Sequence, residues 1–142
     1  MSFPHGGART YYAQSILTAS PGQLVLMLYD GALRFLGQAQ AAFASDEASP
    51  RRIEHINTSI LRTQNILIEL QSNLDHQAGG QYAADLARLY DYYLRRLLEA
   101  NLQKRPEPVH EVERLLRQLR DGWAEMLRKD EANPNSGARG VA

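Results

Sequence analysis

Metal binding and proton transfer would fall first to four histidines, His5, His55, His76 and His110, but they are scattered over four regions of the chain. Glu107-Pro108-Val109-His110 is a Glu-x-x-His string, which in a helical bundle suggests a di-iron carboxylate site. That site needs a second copy of the string and further inward-facing glutamates; only one copy exists, and Pro108 places it at a helix start. There are 0 cysteines, which excludes disulfides, thiolate zinc sites and cysteine nucleophiles. No phosphate-binding G-x-x-x-x-G-K-[ST] string occurs, and Gly79-Gly80 reads as a loop after a helix end. Ser, His and Asp are present without a spacing that singles out a nucleophile. Arg51-Arg52 and Arg95-Arg96 are paired cations with acids nearby, better read as solvated faces than as a phosphate site. The residues that could do chemistry therefore predict no enzyme, no metal and no cofactor.

The totals narrow the classes further. With 142 residues the chain fits one domain and can bury a real core. Lys plus Arg is 16 and Asp plus Glu is 16, a balance that argues against nucleic acid, whose binders rely on cations. The N-terminus MSFPHGGARTYY lacks the apolar stretch of a secretory signal. The longest apolar run, Leu24–Tyr29, is far below the roughly 18–20 residues that span a bilayer. A soluble cytoplasmic protein, with no membrane insertion, is the expectation.

What the chain must position, then, is apolar surface, and it does so on four helical segments without strand alternation. Ser20, Pro21 and Gln23 form a capping-box pattern that starts the first helix, expected to run to about Ala44. Its main face is Leu24, Leu28, Ala32, Phe35, Ala39 and Ala42. The second helix runs from near Ser49-Pro50 to near Leu74, with Ile53, Ile56, Ile60, Thr63, Leu67, Leu70 and Leu74 as a bundle seam. The third covers about Gln81 to Leu102, where Tyr82, Leu86, Leu89, Tyr90, Tyr93, Leu94, Leu97 and Ala100 take close to half the circumference. The fourth starts at Pro108 and carries Val109, Val112, Leu116, Leu119, Trp123 and Met126 at 3–4 spacing. The pattern predicts an all-α, antiparallel up-down four-helix bundle over residues 20–128. Residues 1–19 are expected to form a flexible N-terminal cap segment, and the polar, Gly/Pro-bearing 129–142 a disordered tail.

Apolar residues are left over once the seams are assigned. Leu26 and Leu33 lie seven apart on another side of the first helix, Leu61 and Ile68 lie seven apart off the second seam, and Leu94 and Leu98 widen the third. Two readings compete: packing against a second neighbour within the bundle, which periodicity alone favours, or grooves that accept apolar helical faces of another chain. Tyr11, Tyr12, Ile16 and Leu17 form a short apolar segment ahead of the capped helix. It can lie across such a groove as a displaceable shield, or act as a permanent staple on the bundle end.

The residues from Thr18 to Ala32, TASPGQLVLMLYDGA, strongly resemble the signature of the FliS family of flagellar secretion chaperones. Gly79-Gly80 with Asp85-Leu86, Leu89-Tyr90-Asp91-Tyr92 and Arg95 to Asn101 is similar to its second block. Glu111 to Leu116 and Asp121-Gly122-Trp123 are similar to its last helix. The similarity runs from about Tyr11 to Leu127 and is weakest in the second helix. The resemblance implies a cytosolic export chaperone that binds the disordered C-terminal region of flagellin in apolar grooves. The client folds into helices around the bundle, does not polymerise prematurely, and is delivered with the chaperone to the flagellar type III export gate. It also implies that an N-terminal tyrosine, Tyr11 or Tyr12, covers part of the binding surface in the free protein. The rival is a structural or regulatory bundle without a flagellin client, whose apolar stripes pair in a homodimer.

Overall fold

In a computed structural model that describes residues 20–46 and 49–132, the chain is four helices: α1 Pro21–Ala44, α2 Pro50–Ser72, α3 His76–Gln103 and α4 Glu107–Ala132. The expected capping box forms at the start of α1. The Ser20 hydroxyl accepts from the Gln23 amide, and the Ser20 amide donates to the Gln23 side chain, both at 3.2 Å. Two orphan amides of the first turn are thereby satisfied, and Pro21 contributes a preset φ.

Each helix packs on its chain neighbours, and α4 closes the ring onto α1. Side-chain bonds give the directions. Gln23 donates to Glu131, Arg120 to Asp30, and Gln40 meets His110, so partners on α4 descend as those on α1 ascend. Between α2 and α3 the same reversal links Gln71 to Asp91 and Lys104 to Asn57. The result is the antiparallel up-down four-helix bundle read from the sequence. Among the described residues no helix is long and apolar enough to cross a membrane.

The interior is built from Val25, Tyr29, Leu36, Ile56, Ile60, Leu67, Leu86, Tyr90, Leu97, Val112, Leu116 and Trp123, among others. Three polar bonds are enclosed in it, one of them the Thr63 hydroxyl donating to the Ser59 carbonyl at 2.9 Å. The Tyr29 and Tyr90 hydroxyls meet at 2.6 Å across the bundle, and Trp123 Nε1–H donates to the Gly22 carbonyl at 2.8 Å. Each satisfies a polar group that would otherwise be buried at a cost of about 1–3 kcal/mol.

Four expectations need correction. In α1 the buried stripe over the first turns is Val25, Tyr29, Ala32, Leu33 and Leu36, while Leu24, Leu28 and Phe35 are half-buried. The apolar run Leu24–Tyr29 carries no polar residue to mark an outer side, and the Tyr29–Tyr90 bond fixes the rotation instead. A capped turn, His76–Gly79, precedes the expected start of α3: Asp75 accepts from the Gln77 and Ala78 amides at 3.1 and 3.0 Å. Gly80 then breaks helical geometry at φ 51, ψ −129, a left-handed conformation that glycine adopts without Cβ strain. Finally, α2 ends at Ser72 rather than Leu74, and α4 continues through Lys129 to Ala132, into the stretch expected to be tail. Residues 1–19 and 133–142, and with them Tyr11, Tyr12, Ile16 and Leu17, lie outside the described residues.

Candidate client-binding groove

The flank of α2 that faces α3 is the stripe Asn57, Leu61, Gln64, Ile68 and Gln71, spaced by fours and threes. Opposite it on α3 runs Ala87, Asp91, Leu94, Leu98 and Asn101. Both ends of this seam are closed by polar clamps. Gln71 donates to the Asp91 carboxylate at 2.8 Å and to the Ala87 carbonyl at 3.0 Å. At the far end the Lys104 ammonium holds the Asn57 side chain at 2.7 Å, the Asn101 carbonyl at 2.6 Å and the Asn101 side chain at 2.7 Å. Lys104 reaches these oxygens from a left-handed C-cap, φ 53, immediately after α3.

Between the clamps the seam is mainly apolar, interrupted by half-buried Gln64, and open to solvent. Leu61 is 55 % exposed, Ile68 52 % and Leu98 50 %, and Leu102 beside them is 76 % exposed. Leu94 is half-buried against the core and forms the floor. The distance from Asn57 to Gln71 along α2 is about 20 Å at 1.5 Å per residue, so the groove matches an amphipathic helix of about four turns.

The six residues proposed from sequence thus divide. Leu61, Ile68, Leu94 and Leu98 come together in this groove. Leu26 and Leu33 do not. They sit on the flank of α1 turned to α4, where Asp30 and Gln40 bracket Leu33 and bond Arg120 and His110 at 2.7 and 2.9 Å. There Leu33 is buried and Leu26 half-buried against the core. Leu33 is thus packed within the bundle, and Leu26 is partly covered there.

Sequence reasoning missed Leu102, although it continues the Leu94–Leu98 spacing by one more turn. It placed Ile53 in the α2 seam, whereas Ile53 is 39 % exposed near the Lys104 end. It also folded Tyr82 and Leu89 into the broad apolar half of α3. In the structure both are exposed, on the flank of α3 that faces α4. Further along that seam the apolar character gives way to a polar network. The Tyr92 hydroxyl and the Arg96 guanidinium each donate to Glu111 at 2.6 Å, and Arg96 reaches Glu99 at 2.7 Å. The Tyr92 phenol first, then Arg96, holds the Glu111 carboxyl below the usual carboxylate range. Among the described residues no group of three or more His, Asp or Glu side chains could hold a metal ion.

An open apolar groove on an all-α bundle is shared by many proteins, and comparison with known chains decides among them. The sequence profile of the family described as flagellar protein FliS matches residues 5–130. The chain belongs to the FliS family. It is 33 % identical over 132 residues to the flagellar secretion chaperone FliS of Bacillus subtilis, covering 93 % of each chain. The FliS of Salmonella typhimurium is 34 % identical over 128 residues, 86 % of this chain and 87 % of that one. The FliS of Escherichia coli is 34 % identical over 114 residues, 80 % of each. The FliS match extends well before Ser20, so it takes in the segment with Tyr11, Tyr12, Ile16 and Leu17 as well as the groove.

Proposed function

We propose that this FliS-family protein is a cytosolic export chaperone that holds the C-terminal segment of flagellin in the α2–α3 groove and keeps it from polymerising before export. The observation that carries this reading is the set of exposed apolar residues Leu61, Ile68, Leu98 and Leu102 with half-buried Leu94 along the α2–α3 seam, in a chain similar over most of its length to flagellar secretion chaperones. Flagellin's terminal segment is amphipathic and self-associates through its apolar face. A chaperone that offers a matching apolar row competes for that face while its own core remains intact. Tyr11, Tyr12, Ile16 and Leu17 act as a displaceable cover over apolar surface in the free protein, so that client binding replaces one set of apolar contacts with another. The loaded complex is then the form that meets the flagellar export gate.

Calorimetric titration with a flagellin C-terminal peptide of about 40 residues tests the reading, with circular dichroism in parallel. Saturable binding, a gain in helix and a negative heat-capacity change are expected, because folding the client onto the groove buries apolar surface. No binding at tens of micromolar sinks the proposal. A shift of sedimentation toward dimers with protein concentration, unaltered by peptide, supports the homodimeric bundle in its place.

A further inference from the structure

Asn57, Gln64 and Gln71 are seven residues apart and fall in one line along the α3-facing flank of α2, drifting by about 20° per step. The outer two are engaged. Asn57 accepts from Lys104 at 2.7 Å, and Gln71 donates to Asp91 and to the Ala87 carbonyl at 2.8 and 3.0 Å. The middle one is not. Counting inward from these clamps, the part of α3 opposite Gln64 is the turn of Leu94 and Leu98, whose side chains neither donate nor accept. Among the described residues the Gln64 amide has no hydrogen-bond partner. The side chain is half-buried, and its amide is satisfied by solvent alone.

Lack of a partner does not by itself single out Gln64. Among the described residues Gln38, Asn65, Gln77 and Gln118 also have unbonded side-chain amides, but all four are exposed. Gln64 differs by its place, between Leu61 and Ile68 on α2 and facing Leu94 and Leu98 on α3. A helix laid between the clamps takes away the water that satisfies it. The clamps cannot replace that water: they lie about 10 Å away along α2 in either direction, and their own groups are engaged. An amide buried without a partner opposes binding. The arriving helix must therefore bring both an acceptor and a donor to this one point.

We infer that Gln64 sets the register of the bound client: the segment that fits this groove carries one uncharged polar side chain, an amide above all, within its apolar row, and seats it opposite Gln64. The inference rests on the reading that the α2–α3 groove holds a client helix. An Asn or Gln on the client gives Gln64 two reciprocal N–H···O bonds. A carboxylate or an ammonium satisfies only half of the amide and loses its own hydration among four apolar side chains. Leucines alone leave the client free to slide, because a slip of three or four residues replaces one apolar contact with another. With the amide pair, the same slip sets the client's polar group on leucine and covers Gln64 with hydrocarbon. One polar position in an apolar seam fixes register in coiled coils in the same way, and it excludes partners without the matching group.

Calorimetric titration of the full-length chain tests this with three peptides: the flagellin C-terminal peptide, and two designed amphipathic helices of about 20 residues. One designed helix has an unbroken leucine row at 3–4 spacing, and the other has Asn at the middle of that row. Q64M keeps the length of the side chain and removes the amide, and Q64L removes it with a different shape; both should melt no earlier than the wild type. The wild type is expected to prefer the Asn helix by at least about threefold, and Q64M and Q64L to prefer the leucine helix by about tenfold. The flagellin peptide should bind Q64M about tenfold more weakly, although Met adds apolar surface. Q118M, the same change at an exposed amide of α4, should leave every affinity within about twofold. Flagellin peptide bound by Q64M as tightly as by the wild type, or tighter, overturns the inference and leaves the flagellin reading intact. The reversed preference without flagellin binding upholds the inference and removes flagellin as the client. A preference for the leucine helix in wild type and variants alike, or no binding of any peptide, overturns it. Dimers that form with rising protein concentration and are loosened by Q64M overturn it in favour of a second copy seated on the groove.

Discussion

Tyr29 and Tyr90 show how much one pair of side chains constrains. Each phenol is buried almost completely, and each is the other's hydrogen-bond partner at 2.6 Å. Because α1 and α3 are diagonal in the bundle, the bond sets the rotation of both about their axes, which the apolar run of α1 leaves undetermined. Burial pushes the phenols of Tyr29 and Tyr93 up to about 12, and that of Tyr90 higher still. The unfolded chain loses these protons near pH 10. Above that pH the unfolded state ionises while the folded one cannot, so the equilibrium shifts toward unfolding. Stability should be insensitive to these groups below about pH 10 and fall between about pH 10 and 12. Titration of phenolate absorbance should then coincide with loss of helical circular dichroism for the buried fraction. Release of all phenolic protons near pH 10 from an intact bundle contradicts it. None of this was legible in the sequence, where Tyr29 ended an apolar run and Tyr90 was one of several apolar positions.

At the level of the helix, seven-residue spacing proved ambiguous in a way that has a clear cause. Leu26/Leu33 and Leu61/Ile68 carry the same pattern, yet Leu33 is buried and Leu26 half-buried, whereas both members of the second pair are more than half exposed. The difference lies in the neighbour: α4 lies against the flank of Leu33, whereas α3 meets the flank of Leu61 only at its polar clamps and leaves the middle open. Periodicity along one helix carries no information about what stands opposite. The helices themselves were easier to read, because Ser20-Pro21-Gln23, Ser49-Pro50 and Pro108 mark starts by local chemistry alone. The capped turn before Gly80 was missed because paired glycines usually end helices. Substitution should separate the two leucine pairs. Leu33→Ala is expected to cost about 2–4 kcal/mol in denaturant unfolding, since it opens a cavity among packed residues. Leu61→Ala and Leu98→Ala should stay within about 0.5 kcal/mol and instead weaken flagellin-peptide binding about tenfold or more. A groove variant that melts early but binds normally would reverse the assignment.

Across the whole molecule, magnitudes limit what one groove can do. Leu61, Ile68, Leu98, Leu102 and Leu94 are already partly covered, so completing their burial yields roughly 1 kcal/mol each. That sum is comparable with the about 2–5 kcal/mol needed to order a disordered client. Useful affinity therefore requires the client to continue over further surface, and Tyr82 and Leu89, 54 % and 38 % exposed on the other side of α3, are the next apolar positions available. A client peptide of about 15 residues, long enough to fill the groove alone, should bind at least about a hundredfold more weakly than one of about 40 residues in the same calorimetric assay. Equal affinities would confine recognition to the α2–α3 seam. One interior bond also makes such experiments easier to follow. The only tryptophan, Trp123, is enclosed where the last turns of α4 grip the first turn of α1, its indole bonded to the Gly22 carbonyl. Its emission is a built-in optical gauge of that end of the bundle: blue while the seam is shut, red once water reaches the ring. Because the gauge is remote from the α2–α3 groove, a colour change on adding client would report that the grip on α1 had loosened at a distance, without any label.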